Sequence, residues 1–182
     1  MTMPRITPLD PPYPEAMQAD FDKIMRGMPP LKLFRTVGRN PRVLSRMMAG
    51  GLLDKGSISV RARELMILRT VARCGAEYEW GVHVGAYGAK AGFTKEQLHA
   101  TVHGDATSTE WPAEDAAIIK LADSLDETND VPDALWAELK THFADDQLIE
   151  LIMLAGLYHG VSYLLNAMRV EKEGMAPGFP AR

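Results

Sequence analysis

Apolar residues recur along this chain at intervals of three and four, and no segment settles into a sustained alternation of two. That pattern predicts amphipathic helices and no strands. Pro14 suits the first turn of a helix running to about Arg26, ended by Gly27 and the Pro29-Pro30 pair. Asn40-Pro41 reads as an N-cap followed by the first helical residue, opening a helix that stops at Gly50-Gly51. Ser59 caps a helix from Val60 to Arg73, with Cys74-Gly75 as its terminator, and a further helix covers Glu77 to Ala91 before Gly92. Thr94 to Gln97 is a capping box, with Phe93 and Leu98 as its hydrophobic staple. Helices then follow over Pro112–Thr128 and Pro132–His142, and Asp145 or Ala144 opens the last and longest, to about Lys172. Residues 1–13 form a proline-rich extended arm and residues 174–182 a flexible tail. The expectation is an all-α, single-domain bundle of about seven to eight helices over residues 1–182.

Two adjacent helices carry polar residues where the pattern calls for apolar ones. At about 100° per position, Leu65, Ile67, Leu68, Val71 and Ala72 cluster around the direction of Glu64, while Arg63, Arg69 and Arg73 point to the opposite side. A lone carboxylate in an apolar stripe costs several kcal/mol unless it is paired or protonated. On the next helix Glu79, His83, Ala86 and Lys90 share one stripe, Gly81, Gly85 and Gly88 form the back, where another helix can approach closely, and the surface is small or apolar nearly all round. A short antiparallel hairpin would bring Glu64 to that stripe. Glu64, Glu79 and His83 are therefore the candidate catalytic residues, with Trp80 and Tyr87 as candidate pocket walls. Two blander readings compete: Glu79 and His83 as a solvated i, i+4 pair, and Glu64 as a structural carboxylate. The trio would suit a metal by ligand type, but nothing in the spacing requires one, so neither metal nor cofactor is expected.

Composition narrows the function classes. Hydrophobic residues make up 46% and charged residues 24%, the net charge is −4, and Lys and Arg are scattered, so neither nucleic acid nor an anionic membrane is an expected partner. The longest apolar run, Leu151 to Tyr158, is short of the about 20 residues a bilayer span needs. The start MTMPRITPLDPPYP has no apolar core of a secretory signal, which makes a cytoplasmic location the expectation. Cys74 is the single cysteine, so no intramolecular disulfide and no CxxC motif can form, and it reads as a small buried residue. His99, His103 and His142 read as surface residues, His159 as a core histidine, and the acidic stretch Asp123 to Asp133 as a solvated helix end and loop.

The stretch RELMILRTVARCGAEYEWGVHVGAYGAKAGFT resembles the carboxymuconolactone decarboxylase family, which includes the alkyl hydroperoxidase D-type proteins, and FADDQLIELIMLAGLYHGVSYLLNAMRVE is similar to its C-terminal helix. The likeness spans about Pro41 to Glu171. In the peroxidase branch the motif is a Glu, a CxxC pair and a proton-relaying His; Glu64 and His83 match the first and last, while the cysteine positions fall on Ala76 and Glu79. The resemblance implies an all-helical subunit that assembles as a homo-oligomer, a trimer or a hexamer, and acts on a small molecule. The leading expectation is acid–base, lyase-type chemistry on a small organic acid or lactone, with Glu79 as general acid or base, His83 as relay and Glu64 positioning His83. Two alternatives stay open: a hydroperoxidase working through Cys74, and a non-catalytic oligomeric binding or scaffold protein.

Overall fold

The computed structural model describes residues 3–182, and every regular element among them is helical. In chain order these are α1 (Glu15–Met25), α2 (Lys32–Val37), α3 (Pro41–Ala49), α4 (Val60–Arg73), α5 (Glu77–His83), a π-helical turn (Val84–Gly88), α6 (Ala89–Ala91), α7 (Lys95–His103), α8 (Ala113–Thr128), α9 (Asp133–Leu139) and α10 (Asp145–Met168). Met1 and Thr2, part of the expected N-terminal arm, lie outside the described residues. The local signals act as read. The Asn40 side chain accepts from the Val43 N–H, Ser59 from the Ala62 N–H, and the Thr94–Gln97 capping box closes on both sides.

The centre of the molecule is α4, buried from Ala62 to Val71 without a solvated side. It packs against α5, α7, α8 and α10. Its pairings show how they run. Arg61 meets Asp115, Arg69 meets Asp123 and Arg73 meets Glu127, each partner 54 positions further on, so α8 lies parallel to α4. Ser57 bonds Glu150 and the Cys74 carbonyl bonds Asn166, 93 and 92 positions on, so α10 is parallel as well. The main core fills the space between them, with Leu65, Leu68, Ile118, Leu121, Leu148 and Leu151 fully buried. A smaller cluster around Phe21, Leu33, Leu44 and Leu165 attaches α1 to α3. The arm runs outside this cluster, tied by the Arg5 N–H to the Met168 carbonyl and the Leu9 N–H to the Arg35 carbonyl.

Several expectations are corrected. Arg63 and Arg69, expected on the side opposite Glu64, are both buried, and Arg63 reaches Glu64 itself. Arg69 forms a two-point bond with Asp123 (2.6 and 2.8 Å) and donates to the carbonyls of Thr101 and Gly104 at the end of α7. The fork geometry of arginine satisfies a carboxylate and unpaired helix-end carbonyls at once, which is what permits its burial. Asp123 is accordingly an ion-pair partner and not part of a solvated run. α10 ends at Met168, where Arg169 takes a left-handed φ of 53°, short of Lys172. By length and composition α10 could cross a bilayer, yet Leu148, Leu151, Leu154, Tyr158 and Leu165 are buried in the protein core.

The C-terminal segment is not a loose tail. The Phe179 N–H donates to Glu77, whose carboxylate also takes Lys172; Glu173 accepts from the Tyr78 hydroxyl and the Lys32 N–H; and the Pro180 carbonyl meets His103. Pro177 lies so close to α5 that a Cβ at Gly81 would collide with its carbonyl oxygen. The glycines of this helix do allow a close approach, but at Gly81 the visitor is this extended segment and not another helix.

Candidate active site

Gly75, at φ 66°, ends α4 and folds the chain straight back into α5, with the Ala76 N–H returning to the Val71 carbonyl. The result is the antiparallel hairpin that carries Glu64 to His83. Glu64 Oε2 lies 2.7 Å from His83 Nδ1. Nε2, on the far side of the ring, is 3.5 Å from Glu79 Oε1, an ion-pair distance longer than a well-formed hydrogen bond. Glu64, Glu79 and His83 retain only 0%, 7% and 3% of their exposure, which excludes the reading of Glu79 and His83 as a solvated surface pair.

Arg63 completes the charge balance. Its Nε and Nη2 both reach Glu64 Oε1 at 2.8 Å, and Nη1 donates to the Leu53 carbonyl. An ionised carboxylate only accepts, so with Glu64 ionised Nδ1 carries a proton and Nε2 is turned to Glu79. Burial acts to push the imidazole down, but the hydrogen bonds and charges of Glu64 and Glu79 outweigh it, and His83 is pushed up to about 9. With both carboxylates ionised and His83 protonated, the four formal charges of Arg63, Glu64, His83 and Glu79 cancel.

Glu79 Oε2 is buried and has no hydrogen-bond partner among the described residues. A dry carboxylate oxygen in that state costs on the order of 1–3 kcal/mol, more if charged, unless a proton or an incoming donor satisfies it. It is the free valence of the site.

Of the two expected pocket walls, Tyr87 meets the imidazole, with ring centroids 5.5 Å apart, and also lies under the Arg63 guanidinium at 5.1 Å. Trp80 sits among the core residues instead: its indole N–H donates to Thr101 Oγ1 at 2.9 Å and its ring meets Phe179 edge-on. It braces α5 against α7 and the C-terminal segment. The expected polar stripe also stops early. Ala86 and Lys90 are exposed, because the π-helical turn after His83 changes the rotation per residue.

Two residues of the site escaped the sequence reading. Helical angles put Arg63 opposite Glu64, but its long side chain folds back to the neighbouring carboxylate. Tyr158 comes from α10 and packs edge-on against His83 at 5.0 Å. Burial, then the charges of Glu79 and Glu64, push its phenol well above its ordinary value, so it stays protonated. Its only sign in the sequence was faint: α10 holds two tyrosines, Tyr158 and Tyr163, and nothing local says that Tyr158 is the buried one. Ala76, at the N-cap of α5, is buried like Glu79, and Cys74 lies at the hairpin end beside Asp126 and His159.

The chain is a helical bundle with Glu64, His83 and Glu79 buried together at its central hairpin, and it is similar in fold to several solved structures. The chain superposes with a TM-score of 0.78 on an uncharacterized peroxidase-related protein from Silicibacter sp. TM1040, at 19% identity over 99% of this chain and 100% of that one. The debrominase Bmp8 gives 0.72 at 15% identity, covering 93% and 92%. A protein of unknown function from Agrobacterium tumefaciens, named as a candidate antioxidant defence protein AhpD, gives 0.69 at 16%, covering 75% and 94%. No curated protein matches the chain. The model of the carboxymuconolactone decarboxylase family matches residues 41–123 of this chain.

Proposed function

We propose that this protein is an enzyme performing acid–base, lyase-type chemistry on a small organic acid or lactone. The observation that carries the reading is the imidazole of His83 held between two buried carboxylates, one of which, Glu79, keeps an oxygen free. Loss of carbon dioxide from a substrate carboxylate leaves an electron pair on carbon, and that carbon must take up a proton. Glu79 delivers it, drawing on His83, while Glu64 and Arg63 hold the ring in one orientation. Water then returns the proton. The phenol of Tyr158 and the ring of Tyr87 keep the relay dry, so the proton goes to the bound molecule. A debrominase of the same fold has been solved with 2,3,4-tribromopyrrole, which supports a small ring as the kind of molecule such a scaffold accepts.

Cys74 is a poor nucleophile here, since burial pushes its thiol up and keeps it protonated at neutral pH. The test is turnover of lactone acids by His83→Gln and Glu79→Gln variants. Each should lose about 10²- to 10⁴-fold in kcat. Unchanged turnover in both would remove the mechanism, and peroxide consumption abolished by Cys74→Ser would put the thiol reading in its place.

A further inference from the structure

A second set of metal-ligating side chains lies about 15 Å further along α4 from Glu64, at the hairpin end. Cys74 caps α4, Asp126 comes from α8 and His159 from α10, and one ligand atom from each lies within 4.8 Å of the others. We propose that these three side chains form a site for a divalent transition metal of zinc type, with three protein ligands and an open fourth position.

The donor set is the first support. Thiolate, imidazole and carboxylate together are ligands that zinc accepts in tetrahedral geometry, and a set of three with an opening is typical of reactive zinc sites. Availability is the second. Among the described residues neither ring nitrogen of His159 has a hydrogen-bond partner. Arg73 Nε holds Asp126 at Oδ2 (3.0 Å), which orients the carboxylate and leaves its other oxygen for an ion. Space is the third. A cleft of about 200 Å³ opens beside the cluster, walled by Thr70, Ala122, Ala155 and Gly156 as well as by Asp126 and His159. An ion's water or a small ligand would stand there.

Metal–ligand bonds of about 2.0–2.3 Å put tetrahedral ligand atoms roughly 3.3–3.7 Å apart. The cluster therefore has to draw in by about 1 Å, a distance that side-chain rotation of half-buried His159 and Asp126 supplies. Binding replaces the thiol proton by the metal: the S–H bond breaks, the S–metal bond forms and the proton goes to solvent. No electron is transferred.

Cobalt(II) titration of the metal-free protein, in a phosphine reductant, tests this directly. Cys74 is the single cysteine, so a thiolate-to-cobalt charge-transfer band in the near ultraviolet reports this site and no other. The expected result is one equivalent bound, with the band lost in Cys74→Ser. His159→Ala and Asp126→Asn should each weaken binding by more than about tenfold, and His83→Gln should leave the titration as it was. Zinc should displace the cobalt and raise the Tm of the unaltered protein. Absence of the band at saturating cobalt would overturn the proposal. So would a band whose affinity is indifferent to both His159→Ala and Asp126→Asn, since the thiol would then be binding metal by itself.

Discussion

His83 is a buried base with a carboxylate at each nitrogen, and its protonation is tied to folding. Its value in the folded protein, about 9, stands above the ordinary 6.5. A raised value means that the proton stabilises the fold, fully below pH 6.5 and progressively less as the pH rises through 9. Denaturant unfolding should therefore show a loss on the order of a few kcal/mol between those limits that is missing in His83→Gln. An identical slope in both proteins would show that His83 does not bind the extra proton. Glu64 shares its two oxygens between Arg63 and His83. Replacing it by Gln leaves a buried guanidinium without a counter-charge, at an expected cost of about 3–5 kcal/mol. The same change should bring the His83 titration down by NMR.

Among the elements, the hairpin of α4 and α5 is buried in the core, and the segment after α10 is packed against α5. Gly81 is where they touch. An alanine in a helix interior is worth about 1 kcal/mol over glycine, so Gly81→Ala should stabilise the protein if the helix alone mattered. Here the added methyl meets the Pro177 carbonyl. The expected outcome is net destabilisation together with faster protease cleavage within residues 173–182, read by mass spectrometry. Stabilisation without new cleavage would show that the C-terminal segment is not held against α5. The π-helical turn has a matching role: it closes the polar stripe at His83 and turns Tyr87 toward the imidazole.

For the whole molecule, the family resemblance implies a homo-oligomer, and α10 carries an exposed stripe on which that expectation can be tested. Ile149, Met153 and Tyr163 are exposed on that helix, with Gly156 and Gly160 exposed between them. Their spacing of four, three, four and three puts them on one stripe, of a width suited to a second copy. Met153→Glu should shift the protein toward monomer by sedimentation or light scattering, with its helical content retained. An unchanged molecular mass would exclude this face as the interface.

The sequence by itself determined what is local. Caps at Asn40, Ser59 and Thr94 place helix starts within a residue or two, because each is a bond between neighbours three positions apart. The pairing of Glu64 with His83 was legible for a related reason: the two lie 19 positions apart across one tight turn, and period and turn together bring them face to face. It was also legible that polar groups on these two helices break the apolar pattern. Only the tertiary structure decided the rest. Arg69 with Asp123 (54 positions apart), Tyr78 with Glu173 (95) and Tyr158 against His83 depend on how α4, α5, α8 and α10 pack. The same holds for Cys74, Asp126 and His159. A periodicity says which residues share a face, but not that a central helix is covered on every side from Ala62 to Val71, and it was that covering of α4 that buried Arg63 and Arg69 and completed the site.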